Sequence, residues 1–261
     1  SCVFEGERVY NGNIFKLREH TERLITSAKT LGFEIPYSLE DIETATLATV
    51  EAQGYDDAYV RPVAWRGSEM MGVSAQQSTI HLAIAVWEWP SYFSPEARMQ
   101  GIKLKWAPYK RPSPECAPVH SKAAGLYMIC TLSKHAAEAD GFDDALMLDW
   151  RGQIAETTGA NVFLVIDDVI HTPTPDCFLN GITRRSVMDL ARGHGIEIIE
   201  RAIMPEELSK ADEIFVTGTA AEVTPVSQID EMQFTVGPIT KMLLADYDQL
   251  VREPLGANSS V

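Results

Sequence analysis

The chain has 261 residues, 45% hydrophobic and 23% charged, a composition that suits one large or two modest soluble globular domains and lies outside the disordered and collagen-like ranges. Its 22 basic against 37 acidic residues leave a net charge of −15, a field that repels nucleic acid and anionic lipid, so any bound phosphate must be caught locally. Cys2, Cys116, Cys130 and Cys177 show no Cys-x-x-Cys spacing or nearby histidine ladder, which argues against zinc and a disulfide framework. The most apolar run, IHLAIAVWEW, is about half of the ~20 residues a membrane span requires, and no basic-then-apolar leader opens the chain. A cytoplasmic protein with reduced thiols and no metal is expected.

In chain order, SCVFEGERVY alternates as a strand does, with Phe4, Gly6 and Arg8 on one face and Val3, Glu5, Glu7 and Val9 on the other. An NGN turn and a short strand IFKL lead into a helix, REHTERLITSAKTLG, ended by Gly32. A second helix spans about Leu39 to Gln53, and the strands DAYVRPVAW and TIHLAIAVWEW follow, joined by GSEMMGVSAQQ; the first places Tyr59 and Arg61 on one face. A break at Pro90 to Pro95 divides the chain into a smaller N-terminal α/β domain (1–91), a linker (92–98) and a larger domain (99–261).

The second half opens with the strand IKLKWAPY and a proline-rich loop, RPSPECAP, before a helix from about Leu126 to Ala139. The strand ALMLDW, the hairpin NVFLVIDD-VIHTP, a helix in GITRRSVMDLARGHG, the strand EIFVTG, the run TAAEVTPV and a helix from Ile239 to Val251 complete it. Without a long parallel βαβ series, two mixed α/β or α+β domains fit better than one doubly wound sheet.

The common nucleotide, hydrolase and zincin motifs are missing. What remains is HSKAAGLY, a carboxylate and two Gly-Thr turns. Lys122 stands among small residues that leave room for a flat ring, and an ε-amine attacks an aldehyde once desolvation or a nearby cation has neutralised it; alone, it also reads as a solvated helix-start lysine. In Gly181-Ile182-Thr183 the glycine permits close approach and two backbone N–H groups lie where a helix begins, which suits an anion; an ordinary capped helix fits as well.

The combination E-x-T-x-x-N-V-F at Glu156, a hairpin ending His-Thr, and LNGITR resembles the signature of the class-IV aminotransferases, the fold-type IV pyridoxal phosphate enzymes. VFEGERVY, REHTERL, AYVRP, MMGV, SKAAGLY, DWRGQIAETTGANVF, LNGITR and TGTAAEVTPV together are similar to the blocks of branched-chain amino acid aminotransferases, in that family's order. The family carries a further N-terminal segment of a few dozen residues, with an active-site tyrosine, ahead of the VFEG strand.

The resemblance implies a two-domain fold whose larger domain is a pseudo-barrel, with pyridoxal 5′-phosphate as cofactor. Lys122 would hold it as a Schiff base and serve as general base, Glu156 would face the pyridine nitrogen, and Tyr127 the ring oxygen. Ile182, Thr183, Gly181, Gly218, Thr219 and Arg18 would receive the phosphate. Phe4, Gly6 and Tyr92 would wall the substrate slot, Arg61 would take the distal carboxylate of glutamate, and the main chain of Thr219, Ala220 and Ala221 the α-carboxylate. Tyr59 and Arg8 belong at the rim or behind it, and for Arg8 a purely structural ion pair fits equally well. The Met71-Gly72-Val73 turn would reach a neighbouring subunit's site, implying at least a homodimer.

The implied reaction is transamination of leucine, isoleucine and valine with 2-oxoglutarate. D-amino acid aminotransferases share the cofactor half but need an Arg-x-His pair where this chain has GSEMMGV. R-selective amine transaminases alter the same pocket and stay the nearer alternative, against which Tyr59, Arg61 and the Met-Gly-Val turn speak; aminodeoxychorismate lyase is less similar in the first half. A non-catalytic binding module would have no use for the proton-transfer lysine.

Overall fold

The computed structural model describes residues 1–89 and 95–253. The chain forms two compact units, one of Ser1–Pro90, His120–Leu126 and Val251–Val261, the other of Ser91–Val119 and Tyr127–Leu250. The segment bearing Lys122 therefore counts with the first unit and not with a contiguous 99–261 domain. Residues 95–98 of the expected linker belong to a helix, and Tyr92 lies outside the described residues.

In the first unit, β1 (Cys2–Phe4), β2 (Glu7–Tyr10), β3 (Asn13–Ile14), β4 (Ala58–Arg66) and β5 (Ile80–Glu88) form an antiparallel sheet, with α1 (Leu17–Thr30) and α2 (Leu39–Gln53) between the third and fourth strands. β4 pairs with β5 from Ala58↔Glu88 to Arg66↔Ile80, and its other edge takes β1 and then β2. The expected single opening strand is interrupted at Glu5 and Gly6. Glu5 N donates to Pro62 O at 2.9 Å, but Pro62 has no N–H to return the bond.

Period two decides which face is buried. Val3, Val9, Ala58, Val60, Ala64, Leu82, Ile84 and Val86 pack with Leu24 and Ala28 of α1 and Val50 of α2. Their neighbours Phe4, Arg8, Tyr59, Arg61 and Trp87 fall on the opposite face by register. Burying each Val, Leu or Ile contributes about 1.5–3 kcal/mol, so a one-residue slip that inverted the faces would cost far more than any local contact could recover. α2 starts at a Ser38–Asp41 capping box and ends at Gly54, whose φ of 70° suits glycine.

The second unit contains α3 (Pro95–Gln100), β6 (Ile102–Trp106), α4 (Met128–Ala139), β7 (Asp144–Leu148), β8 (Ile154–Thr157), β9 (Asn161–Ile166), β10 (Val169–Pro173), α5 (Ile182–Gly193), β11 (Ile198–Arg201), β12 (Glu213–Gly218), β13 (Glu222–Ile229), β14 (Met232–Gln233) and α6 (Pro238–Arg252). The order β9-β12-β13-β6-β7-β8 returns to β9 through the pair Glu156↔Asn161, closing a barrel, while β10 and β11 continue outward from β9. Ile102, Leu104, Leu146, Val162, Leu164, Ile214 and Val216 belong to one buried cluster of this unit. The mixed α/β architecture read from the sequence is the one observed.

Candidate active site

Within the first unit, the residues around Lys122 are tied to α1 and β1 through the backbone. Val3 and Ala123 form an antiparallel bridge, Phe4 N donates to Lys122 O at 3.2 Å, and Lys122 N donates to Ser27 Oγ at 3.0 Å. Ser121 Oγ donates to Ser27 O at 3.0 Å. This anchoring leaves the half-buried lysine side chain above the Phe4 ring, its Nζ 5.0 Å from the centroid.

On the same sheet face, the Arg61 guanidinium lies 4.6 Å from the Phe4 centroid and 5.1 Å from that of Tyr59. Its Nη2 donates to Tyr59 Oη at 2.9 Å, while its buried Nε has no hydrogen-bond partner. Among the described residues no carboxylate pairs with Arg61. A Cβ on Gly6 would sit 1.9 Å from Tyr59 Oη, so glycine is required there for space. Arg8 is 2% exposed with its guanidinium over the Tyr10 ring, 4.9 Å from the centroid.

Arg18 is not placed as expected. It is on the exposed side of α1, with Glu22, Glu40 and Glu43 all within 3.7 Å. The arginine on the Ser27 stripe is Arg23, aligned with His20 at helical spacing. Its Nε and Nη2 donate to Glu5 at 2.6 and 2.9 Å, and His20 Nδ1 lies 2.7 Å from the same fully buried carboxylate. Burial alone would raise the Glu5 carboxyl, yet the Arg23 guanidinium and His20 beside it hold it well below the usual carboxylate range. Burial likewise drives the His20 pKa down, against the pull of Glu5.

In the second unit, Glu156 faces a cation that sequence reasoning missed. Arg111, only 4% exposed, brings Nε to 3.3 Å from Glu156 Oε1, an ion pair without hydrogen-bond geometry. Burial would lower the Arg111 pKa, but Glu156 first, then Cys130 and Tyr127, raise it. Arg111 Nη1 also lies 3.6 Å from Cys130 Sγ, and burial pushes that thiol up to about 11, so it stays neutral.

The two Gly-Thr turns are built differently. Gly181 precedes α5 with φ −57° and ψ 142°, angles any residue adopts, but a Cβ there would lie 2.3 Å from Asn161 Oδ1. Gly181 has no side chain with which to cap α5, and the Ile182 and Thr183 N–H groups lie at the helix start, where an anion is favoured. At the other turn a Cβ on Gly218 would lie 3.2 Å from Gly159 O. Thr219, Ala220 and Ala221 then lead to Glu222, a non-glycine residue at φ 54°, with Arg98 at 3.0 Å from its carboxylate. Backbone strain of this sort persists where the surroundings fix it. Met71 and Val73 are fully exposed.

The "Amino-transferase class IV" family model matches residues 2–229. The chain belongs to the class IV aminotransferases, and it is an enzyme. It is 40% identical to the branched-chain-amino-acid aminotransferase of Pseudomonas aeruginosa over 95% of this chain and 83% of that one, and 37% identical to that of Escherichia coli over 93% and 82%. Within the family it falls among the branched-chain amino acid aminotransferases. The solved Escherichia coli enzyme superposes with a TM-score of 0.94 at 33% identity, covering 99% of this chain and 88% of that one. A second branched-chain amino acid aminotransferase, from the organism abbreviated T.th., was solved with pyridoxamine 5′-phosphate and gives 0.93 at 39% identity, covering 97% and 87%. The T.th. enzyme has also been solved with N-(5′-phosphopyridoxyl)-L-glutamate and with 4-methylvaleric acid.

Proposed function

We propose that this enzyme moves amino groups between the branched-chain L-amino acids leucine, isoleucine and valine and 2-oxoglutarate, using pyridoxal 5′-phosphate carried on Lys122. The observation that carries this reading is Arg61: a cation without a carboxylate partner among the described residues, set on an aromatic sheet face. An aliphatic side chain can lie against Phe4 and Tyr59, while a distal carboxylate finds a guanidinium with donors to spare. One slot can therefore accept leucine in one half-reaction and glutamate in the other. The T.th. complexes, one with a glutamate adduct and one with an aliphatic acid, support the same pairing.

The chain's residues suit the cofactor. Gly181 has no side chain to cap α5, and the Ile182 and Thr183 N–H groups at the helix start suit an anion. Ile182, Thr183, Gly218 and Thr219 would receive the phosphate. We assign its cation to Arg23 in place of Arg18, because Arg23 shares the stripe of α1 that carries Ser27, the acceptor of Lys122 N, and Glu5 fixes its plane. The cofactor, when bound, supplies an aldehyde carbon and an electron-withdrawing ring. Lys122 Nζ takes and returns the proton of the substrate Cα. Glu156, paired with Arg111, would keep a proton on the ring nitrogen, and Tyr127 would donate to the ring oxygen. The main chain of Ala220 and Ala221 orients the α-carboxylate. A homodimer in which the exposed Met71-Gly72-Val73 tip covers a neighbouring site, and a cytoplasmic location, complete the reading.

Reduction of the cofactor-loaded enzyme with borohydride, followed by digestion and peptide mass analysis, tests the carrier. The cofactor mass is expected on the peptide containing Lys122; a label on another lysine would refute the assignment.

A further inference from the structure

We infer that Trp87 is a positioning residue for substrate choice: by packing on Tyr59 it fixes the phenol that orients Arg61, and so favours the dicarboxylic substrate over the branched one. This rests on the role given to Arg61 above.

The β4–β5 register sets Trp87 directly across from Tyr59, and their ring centroids are 5.2 Å apart at 36°. Trp89, two residues on along the same face, is also 5.2 Å from Tyr59 and meets Trp87 edge-on at 6.2 Å. The Tyr59 ring, 7% exposed, is thus held along its flank by two indoles and at its tip by Arg61 Nη2 and the glycine at position 6. Among the described residues Arg61 has a single side-chain hydrogen bond, and Tyr59 accepts it. The direction of its fork therefore depends on where that phenol stands.

Two substrates read this arrangement differently. A branched aliphatic chain needs volume and an apolar wall, which survive a small tilt of Tyr59. A carboxylate needs the planar guanidinium presented at the right angle, since two parallel N–H donors must meet two oxygens. Loosening Tyr59 should then weaken dicarboxylates selectively. An aromatic pair is worth a factor of roughly two to ten, which sets the size of the effect. Trp87 rather than Trp89 is singled out because it is the direct cross-strand partner, inside the paired length of β5.

The test uses the cofactor-loaded enzyme with Trp87→Ala, Trp87→Phe and Arg61→Ala, and two unreactive acids, glutarate and 4-methylvalerate, titrated by calorimetry alongside kcat and KM for L-glutamate and L-leucine. Trp87→Ala should weaken glutarate and raise the KM of glutamate roughly two- to tenfold, while 4-methylvalerate and leucine stay within about twofold. Trp87→Phe should restore most of the loss. If Trp87→Ala fails to fold, Trp87→Leu carries the same comparison. Equal weakening of both acids, or unchanged glutarate, overturns the inference. Selective loss in Arg61→Ala but not in the Trp87 variants leaves the role of Arg61 standing and refutes that of Trp87. Equal losses in Arg61→Ala refute both.

Discussion

Glu156 and Arg111 pair a partly buried carboxylate with a buried guanidinium. Desolvating an anion is costly, and a guanidinium 3.3 Å away offsets part of that cost. Glu156→Gln keeps the shape and removes the charge. It should bind cofactor while losing on the order of 10²–10³ in kcat, as for other lost electrostatic contacts to developing charge; single-turnover measurement of Cα proton removal checks this, and an unchanged rate would assign the ring nitrogen to another group. Glu156 could be proposed from the sequence because its motif is local. Arg111 was not: it sits in a proline-rich loop, and no periodicity links a loop residue to a carboxylate in a distant strand. For Arg18 and Arg23 the helical phase was the available signal. Arg23 follows His20 by one helical turn and precedes Ser27 by another, whereas Arg18 falls off that stripe.

At the scale of elements, alternation along the opening strand separates Phe4, Gly6 and Arg8 from Val3, Glu5, Glu7 and Val9, and the register agrees for Val3, Phe4, Glu7, Arg8 and Val9. The same alternation places two acids on the helix-covered face. Glu5 is matched by Arg23 and His20, but Glu7 Oε2 is buried without a hydrogen-bond partner, and burial, followed by the charge of Glu5, pushes its pKa well above the ordinary value. A carboxyl whose folded pKa is raised binds its proton more tightly in the native state, so stability falls as pH rises from the unfolded value of about 4.3 toward the folded one. Glu7→Gln removes that dependence. Its melting temperature relative to the parent should climb as the pH rises above about 4.3; a constant difference there would mean Glu7 is already ionised in the fold. The break at Glu5–Gly6 was not foreseen, because it follows from Pro62 on the facing strand. β11 escaped notice as a four-residue segment with no alternation of its own.

At the scale of the whole molecule, the mixed α/β class and the order of the elements could be read from the chain, whereas the closure of the barrel could not. It depends on the parallel pairs β13–β6 and β6–β7 and on the single pair Glu156↔Asn161, which local pattern does not encode. The assignment of His120–Leu126 to the first unit was hidden for the same reason: backbone bonds to Phe4 and Ser27 hold it there. Among the described residues no helix is long and apolar enough to cross a membrane. The net charge of −15 makes a locally built phosphate site all the more necessary. Branched-chain transamination as the enzyme's activity is tested most directly by half-reactions. Cofactor-loaded enzyme is mixed separately with L-leucine, L-glutamate, D-alanine and an R-configured amine while the cofactor's absorption is followed. L-leucine and L-glutamate should both discharge that absorption at rates far above the other two; a response to D-alanine or the R-amine with none to L-leucine would contradict it.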